Sequence, residues 1–308
     1  MRLQQFLAAA GLGSRRHCEE YILAGRISVN DVVVDALGSQ VDPRTDRVAL
    51  DGEPLRVTPR KYYALYKPSG YLCTHRDPGG RRRVVDLFPA QGPRLFTVGR
   101  LDENSEGLLL VTNDGEWAHQ LAHPRYRIDR VYLVQVAGQP DRETLASLTQ
   151  GLYFAEGRFK AESVRIVKTQ GKSTLLELRL REGQNREVRR LLARIGHKVM
   201  KLRRIAFGPI RLGRMKPGEL RPLRPQEVQT LRELLLKSGG EAPPRPRRRT
   251  RSRPAGHGGS PVGTPRRRTG APAPRSQTGP PQTTAGGQTR GRSSTRTRRT
   301  DRRRRSSS

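Results

Sequence analysis

The sequence predicts an α+β protein in three parts. These are a small helix-turn-helix-plus-sheet module (1–58), a larger domain with a largely antiparallel sheet (59–238), and a disordered basic tail (239–308). Three observations carry this reading. Apolar runs of strand length alternate with stretches of helical periodicity, and hairpin-like spacings outnumber regular strand–helix–strand repeats. Pro54 to Arg60 read as a linker. From Glu241 to Ser308 there is no Phe, Tyr, Trp, Ile, Leu or Met, and 19 Arg stand against two acids. A stretch of that composition cannot bury enough apolar area to offset the entropy of ordering it.

Taken in order, Leu3, Phe6 and Leu7 make one helical face, and "GLGS" ends that helix. Ser14 caps a second helix, Arg15–Ala24, which turns Cys18, Tyr21 and Ile22 to the core. "RISVND" and the following "VVV" read as two short strands about an Asn30-Asp31 turn, and Val48–Leu50 offers a third. In the larger domain the expected strands are Tyr62–Leu65, Val131–Val136, Ala161–Val167 and Thr174–Leu180. The expected helices are Glu116–Ala122, Arg142–Leu148, Arg186–Ile195 and Glu227–Leu236. Leu108–Val111 is a buried strand or a helix start.

Charge narrows the choice of partner. The net charge is +33, and the stretch from Glu241 onward holds 19 − 2 = 17 of it, which leaves +16 on residues 1–240. A folded domain with a basic face ordinarily meets a polyanion. Arg15 and Arg16 sit in the first turn of the second helix, where the dipole disfavours cations, and Arg26 follows that helix directly. Phosphates near the helix N-terminus account for this placement, as does a simple solvated surface. The start, "MRLQQFLAAAGLGSRR", does not read as a secretory leader. No stretch approaches a membrane span, so a cytoplasmic protein is expected.

Several chemistries drop out. There is no GxxxxGK[ST] loop, and the Gly pair of "PGGRRRVV" lacks a dinucleotide-site context. Cys18 and Cys73 suit neither a disulfide framework nor a zinc site. His119 and His123 lack a third ligand, so no metal is expected. What remains is a carboxylate in a basic setting. In "GRLDENSEG" an extended chain puts Arg100 and Asp102 on one face. A carboxylate held among arginines stays ionised, which suits a nucleophile rather than a general acid, although a charged structural turn has the same pattern. A second basic cluster runs from Arg186, Arg189, Arg190 and Arg194 on a helix to Lys198, Lys201, Arg203 and Arg204 on a following strand. Alone, it reads as a phosphate-binding face with no chemistry.

Together the segments "KYYALYKPSGYLCT" (61–74), "GRLDENSEGLLLVTNDG" (99–115), "RVYLVQVAG" (130–138) and "EGQNREVRRLLARIGHKVMKLRRIAFGPI" (182–210) resemble the bacterial ribosomal-RNA pseudouridine synthases of the RsuA/RluB branch. Residues 2–30 resemble the small RNA-binding module, shared with a small-subunit ribosomal protein, that this family carries in front. The resemblance implies that 59–238 is the catalytic domain and that no cofactor is needed. It makes Asp102 the catalytic carboxylate, Tyr132 the residue lining the pocket against the base, and Arg189 the partner of the carboxylate. It also implies RNA contacts from Arg15, Arg16, Arg26, Arg100, Arg186, Arg190, Lys201 and Arg203. Ser105, Arg130, Gln184 and Tyr66 depart from the usual Thr, Lys, Arg and Asn. The extended basic tail and the Arg-rich "NREVRR" segment look more like the large-subunit branch, so the expected partner is 23S rRNA, met by a monomer. The rival readings are a non-catalytic RNA-binding or ribosome-assembly protein built from the same parts and, from a third class, a DNA-binding helix–turn–helix protein.

Overall fold

The computed structural model describes residues 1–238; the expected disorder of 239–308 lies outside the described residues. Helices α1 (Leu3–Ala9) and α2 (Arg15–Leu23) open the chain. Ser14 accepts from the backbone N–H of His17 and so caps α2. Strands β1 (Ile27–Val29), β2 (Val32–Val33), β3 (Val48–Leu50) and β4 (Glu53–Pro54) form a sheet in the order β2-β1-β3-β4. Asn30 and Asp31 both have positive φ, 52° and 67°. That is the backbone a two-residue hairpin needs, and it matches the twist of the flanking strands.

The rest of the described chain comprises β5 (Tyr62–Lys67), β6 (Phe96–Thr97), β7 (Glu106–Thr112), α3 (Gly115–Ala122), β8 (Arg130–Ala137) and α4 (Arg142–Gln150). The β9 (Leu152–Phe154) and β10 (Gly157–Phe159) hairpin follows, then β11 (Ser163–Gln170), β12 (Ser173–Leu180), α5 (Glu187–Arg194), β13 (Val199–Phe207), β14 (Ile210–Arg211), β15 (Leu220–Pro222) and α6 (Pro225–Ser238). The main sheet runs β11-β12-β8-β13-β7-β5-β15, with β14 beside β13 and β6 beside β7. Its pairs are antiparallel except β13 with β7, which run parallel at the centre.

Leu108 to Val111 lie in the strand β7 and are fully buried. Alternation sends Leu108 and Leu110 to one face, against Trp117, Leu121, Leu231 and Leu235 of α3 and α6. Leu109 and Val111 go to the other, against Val84 and Leu95. A central strand covered on both faces reads as an unbroken apolar run, which is why its sequence left strand and helix undecided. In the other half of the sheet, α4 and α5 bring Leu145, Leu148, Leu191 and Leu192 onto Val134, Val136, Leu176 and Leu178.

Two boundaries differ informatively from expectation. The strand expected at Ala161–Val167 begins at Ser163, because the Ala161 N–H is taken by Leu148 O. A bulge between Ile166 and Lys168 then carries it on to Gln170. The helix expected from Arg186 begins at Glu187, because Arg186 is left-handed at φ 49°. Arg186 therefore does not share the helical register of Arg189, Arg190 and Arg194.

Candidate active site

One row across the sheet frames the site. Lys67 on β5 pairs with Gly107 on β7, Gly107 with Arg204 on β13, and Arg204 with Tyr132 on β8. The row depends on glycine at its centre. A Cβ on Gly107 would lie 2.3 Å from Arg204 O and 2.7 Å from Arg204 N, and its φ is +110°. Only a residue without a side chain lets the two parallel strands come this close.

Asp102 stands on the loop that enters β7. Its carbonyl accepts from the Ser105 N–H at 3.1 Å, closing a turn. Lys67 anchors that turn from below. The side chain is fully buried, and Nζ donates to Pro68 O, Glu103 O and Ser105 O at 2.9, 3.1 and 2.7 Å. Burial pulls this ammonium down to about 8, opposed by the nearby Cys73, Asp102, Glu103 and Glu106. Leu101 N–H points at Cys73 Sγ, 3.5 Å away, on the other side of the loop.

Two arginines converge on the Asp102 carboxylate: Arg186 Nη1 and Arg189 Nε each lie 3.5 Å from Oδ2. The left-handed backbone of Arg186 turns its side chain out of the helix, while Arg189 projects from the first turn of α5. Arg189 Nη2 also donates to Asn104 O at 3.1 Å and Ser105 Oγ at 3.3 Å. The serine hydroxyl at 105 thus keeps a contact that the usual threonine can also make. Asp102, Arg186 and Tyr132 line a cavity of about 110 Å³ with Leu101, Arg130, Glu187, Arg204 and Phe207. A wider groove, lined by Arg76, Arg81, Arg100 and Arg186, adjoins it at Asp102.

The remaining cations have varied surroundings. Arg100 is exposed at the border of cavity and groove. Arg190 pairs with Glu156 at 2.6 Å and lies over Phe154 and Phe159. Arg203 pairs with Glu106 at 2.6 Å, over the Tyr66 ring, and Lys201 is exposed on β13. Arg26 donates to Asp51 through Nε and Nη2. Arg16 is exposed, and Arg15 reaches the start of α3, where its Nη2 lies 3.2 Å from the place a Cβ on Gly115 would take. Arg130 is buried, donating to Ile128 O, Arg181 O, Leu121 O and Ala122 O.

Sequence reasoning did not single out Lys67 or Glu187, and it read Arg204 only as part of a basic cluster. A lone lysine at the end of the strand "YYALYK", just before proline, was the available signal for the first. Glu187 is 2% exposed. Burial pushes its carboxyl up to about 7, with the Gln184 N–H opposing, Glu182 adding, and the Gly183 N–H and Arg130 opposing further.

Comparison with known proteins joins this geometry to a family. Residues 61–194 match the model of the RNA pseudouridylate synthases and residues 1–54 that of the S4 domain. An RNA pseudouridine synthase of Aquifex aeolicus is 45% identical over 232 residues, spanning 75% of this chain and 93% of its own. The chain belongs to the RNA pseudouridine synthases. The ribosomal large subunit pseudouridine synthase B of Bacillus subtilis is 39% identical over 235 residues, across 76% of this chain and 96% of that one. A crystal structure of a pseudouridylate synthase superposes with a TM-score of 0.54 at 27% identity, over 75% of this chain and 99% of the other. This pseudouridine synthase is therefore an isomerase with an S4 module in front of an α+β catalytic domain. Among its described residues no helix is long and apolar enough to cross a membrane.

Proposed function

We propose that this enzyme isomerises a uridine of 23S ribosomal RNA to pseudouridine, with Asp102 as the catalytic carboxylate. The observation that carries the reading is the convergence of Arg186 and Arg189 on Asp102 at the mouth of a cavity walled by Tyr132. The reaction breaks the bond from C1′ to N1 and makes one from C1′ to C5. The C5 proton leaves, N1 ends protonated, and no electrons enter or depart, so no cofactor is called for. Attack on C1′, attack on the ring and assistance to a glycal all begin with an ionised carboxylate against a base taken out of its stack.

Each residue then has a physical task. Arg189 and Arg186 hold the carboxylate in place. Tyr132 packs against the base. Exposed cations such as Arg16, Arg100 and Lys201 meet phosphates, which position the RNA without reading its sequence. The choice of 23S RNA is supported by relatives named for the large subunit, from Bacillus subtilis and Vibrio cholerae. A single chain supplies all the groups used here, consistent with a monomer.

The test is to map pseudouridine across ribosomal RNA from a deletion strain. One 23S position should lose the modification, the full-length gene should restore it, and Asp102→Ala should not. Loss of a small-subunit position instead would overturn the choice of RNA. Restoration by Asp102→Ala would overturn the assignment of the carboxylate.

A further inference from the structure

Two polar atoms belonging to the cavity-lining residues are buried without a hydrogen-bond partner among the described residues: Glu187 Oε1 and Arg204 Nη2. Each residue is 2% exposed. Another atom of each side chain is already engaged. Glu187 Oε2 accepts from the Gln184 N–H at 2.9 Å, and Arg204 Nε donates to Leu108 O at 2.7 Å while its guanidinium lies over Phe207. Folded chains seldom leave such atoms unsatisfied, because each forfeits its hydration for nothing. An acceptor and a donor orphaned on two residues that line one cavity suit a ligand that presents a donor beside an acceptor.

We propose that Glu187 and Arg204 read the edge of the flipped uracil, the carboxylate accepting from N3–H and the guanidinium donating to the adjacent O4. The inference rests on the assignment of the Asp102 cavity as the seat of the base. Cytosine inverts the pattern: its N3 lone pair meets the carboxylate and its exocyclic amine meets the guanidinium. Like then faces like at both positions. Stacking on Tyr132 cannot make that distinction, since every base has a π face.

The same pair suits the isomerisation. N1 and C5 both flank C6, and N3 lies opposite C6 across the ring. A half-turn of the ring about the C6–N3 axis exchanges N1 with C5 and O2 with O4 and leaves N3–H in place. Glu187 keeps its donor through that turn, and Arg204 exchanges one carbonyl oxygen for the other. The detached ring is thus held at one edge while the opposite side is presented to C1′. Reading the edge transfers no proton, and the C5 and N1 protons are handled elsewhere in the cavity.

The test uses a short RNA spanning the mapped uridine and two versions of it, carrying cytidine or N3-methyluridine at that position. Binding is measured on full-length Asp102→Ala, which is not expected to turn the substrate over. It should hold the uridine RNA roughly tenfold or more tighter than either analogue. Adding Glu187→Gln should erase most of that preference. The glutamine carbonyl still caps Gln184, but its amide then offers a donor where N3–H needs an acceptor. Adding Arg204→Lys should likewise lower the preference. Wild-type enzyme should convert uridine RNA normally, whereas the N3-methyluridine RNA should react at least about tenfold more slowly. Equal rates on those two RNAs would overturn the proposal with no variant involved, so a folding defect cannot shelter it. An unchanged uridine preference in both double variants would overturn it too. Full turnover by Asp102→Ala would instead bring down the assignment of the cavity, which keeps the two failures apart.

Discussion

The S4 module closes on Leu3, Phe6, Leu7, Cys18, Ile22, Ile27, Val41 and Val48, with no charged side chain buried among them. The catalytic domain buries Lys67, Asp114, Arg130, Glu187 and Arg204. Removing a charge from water is unfavourable unless hydrogen bonds replace the hydration. The catalytic domain supplies those bonds mostly from its backbone: three carbonyls to Lys67, four to Arg130, one to Arg204, and the Gln184 N–H to Glu187. Arg130, Glu187 and Arg204 line the Asp102 cavity, Lys67 ties down the loop that carries Asp102, and Asp114 caps α3 by accepting from the Trp117 N–H. The module presents exposed cations on an apolar core, whereas the catalytic domain builds a preorganised charged interior. Binding a polyanion needs only the first, and guiding a reaction needs the second.

The strongest way to break this contrast is at Lys67. Lys67→Met removes three hydrogen bonds and leaves three carbonyls to find other donors. Single-turnover conversion should fall roughly a hundredfold, in line with misplacing a catalytic group by about an ångström. Wild-type rates from a folded Lys67→Met protein would show that the buried charge does not serve the site.

Gly107→Ala tests the close approach of β7 and β13. The new Cβ strikes backbone rather than a flexible side chain, at a φ that L residues rarely adopt. A loss of roughly 3 kcal/mol is expected from strain and displacement together. Thermal melting reads it, and an unaltered Tm would mean the strands separate at little cost.

Glu187 gives the contrast a pH signature. Its carboxyl titrates near 7 in the folded chain against an ordinary 4.5. A raised carboxyl pKa means that between these values the folded state binds more protons than the unfolded, so stability declines as pH climbs through that window. The full difference is roughly 3 kcal/mol. Glu187→Gln should flatten this decline, gaining on the wild type at pH 8 relative to pH 5 in denaturant melts. Parallel curves for the two proteins would remove the buried carboxyl from the account.

The smallest change in chemistry is expected in the module. Replacing Arg15 and Arg16 by Ala should weaken RNA binding and lower the slope of log affinity against log salt by about 2 if each meets a phosphate. The single-turnover rate at saturating enzyme should not move. A lower saturated rate would mean that the module also shapes the site, and the division drawn here would be too sharp.

Local pattern was enough for much of the architecture. The Asn30-Asp31 hairpin, the Ser14 cap, strands β5, β8 and β12 and helices α3 to α6 follow from periodicity, turn chemistry and caps, each encoded within a few neighbouring residues. The motif around Asp102 was also legible, because its charged turn abuts a continuous apolar strand. Other features depend on residues far apart in sequence. Only the tertiary structure set β13 parallel to β7, which aligns Lys67, Gly107, Arg204 and Tyr132 in one row. It alone put Arg186 in a left-handed turn facing Asp102, drew Arg190 and Arg203 into ion pairs, and buried Glu187 and Arg204 with an atom of each unpartnered. Periodicity is a property of neighbouring residues, whereas the solvation of a charge is set by everything packed around it, and for these side chains the packing comes from strands and helices tens of residues away.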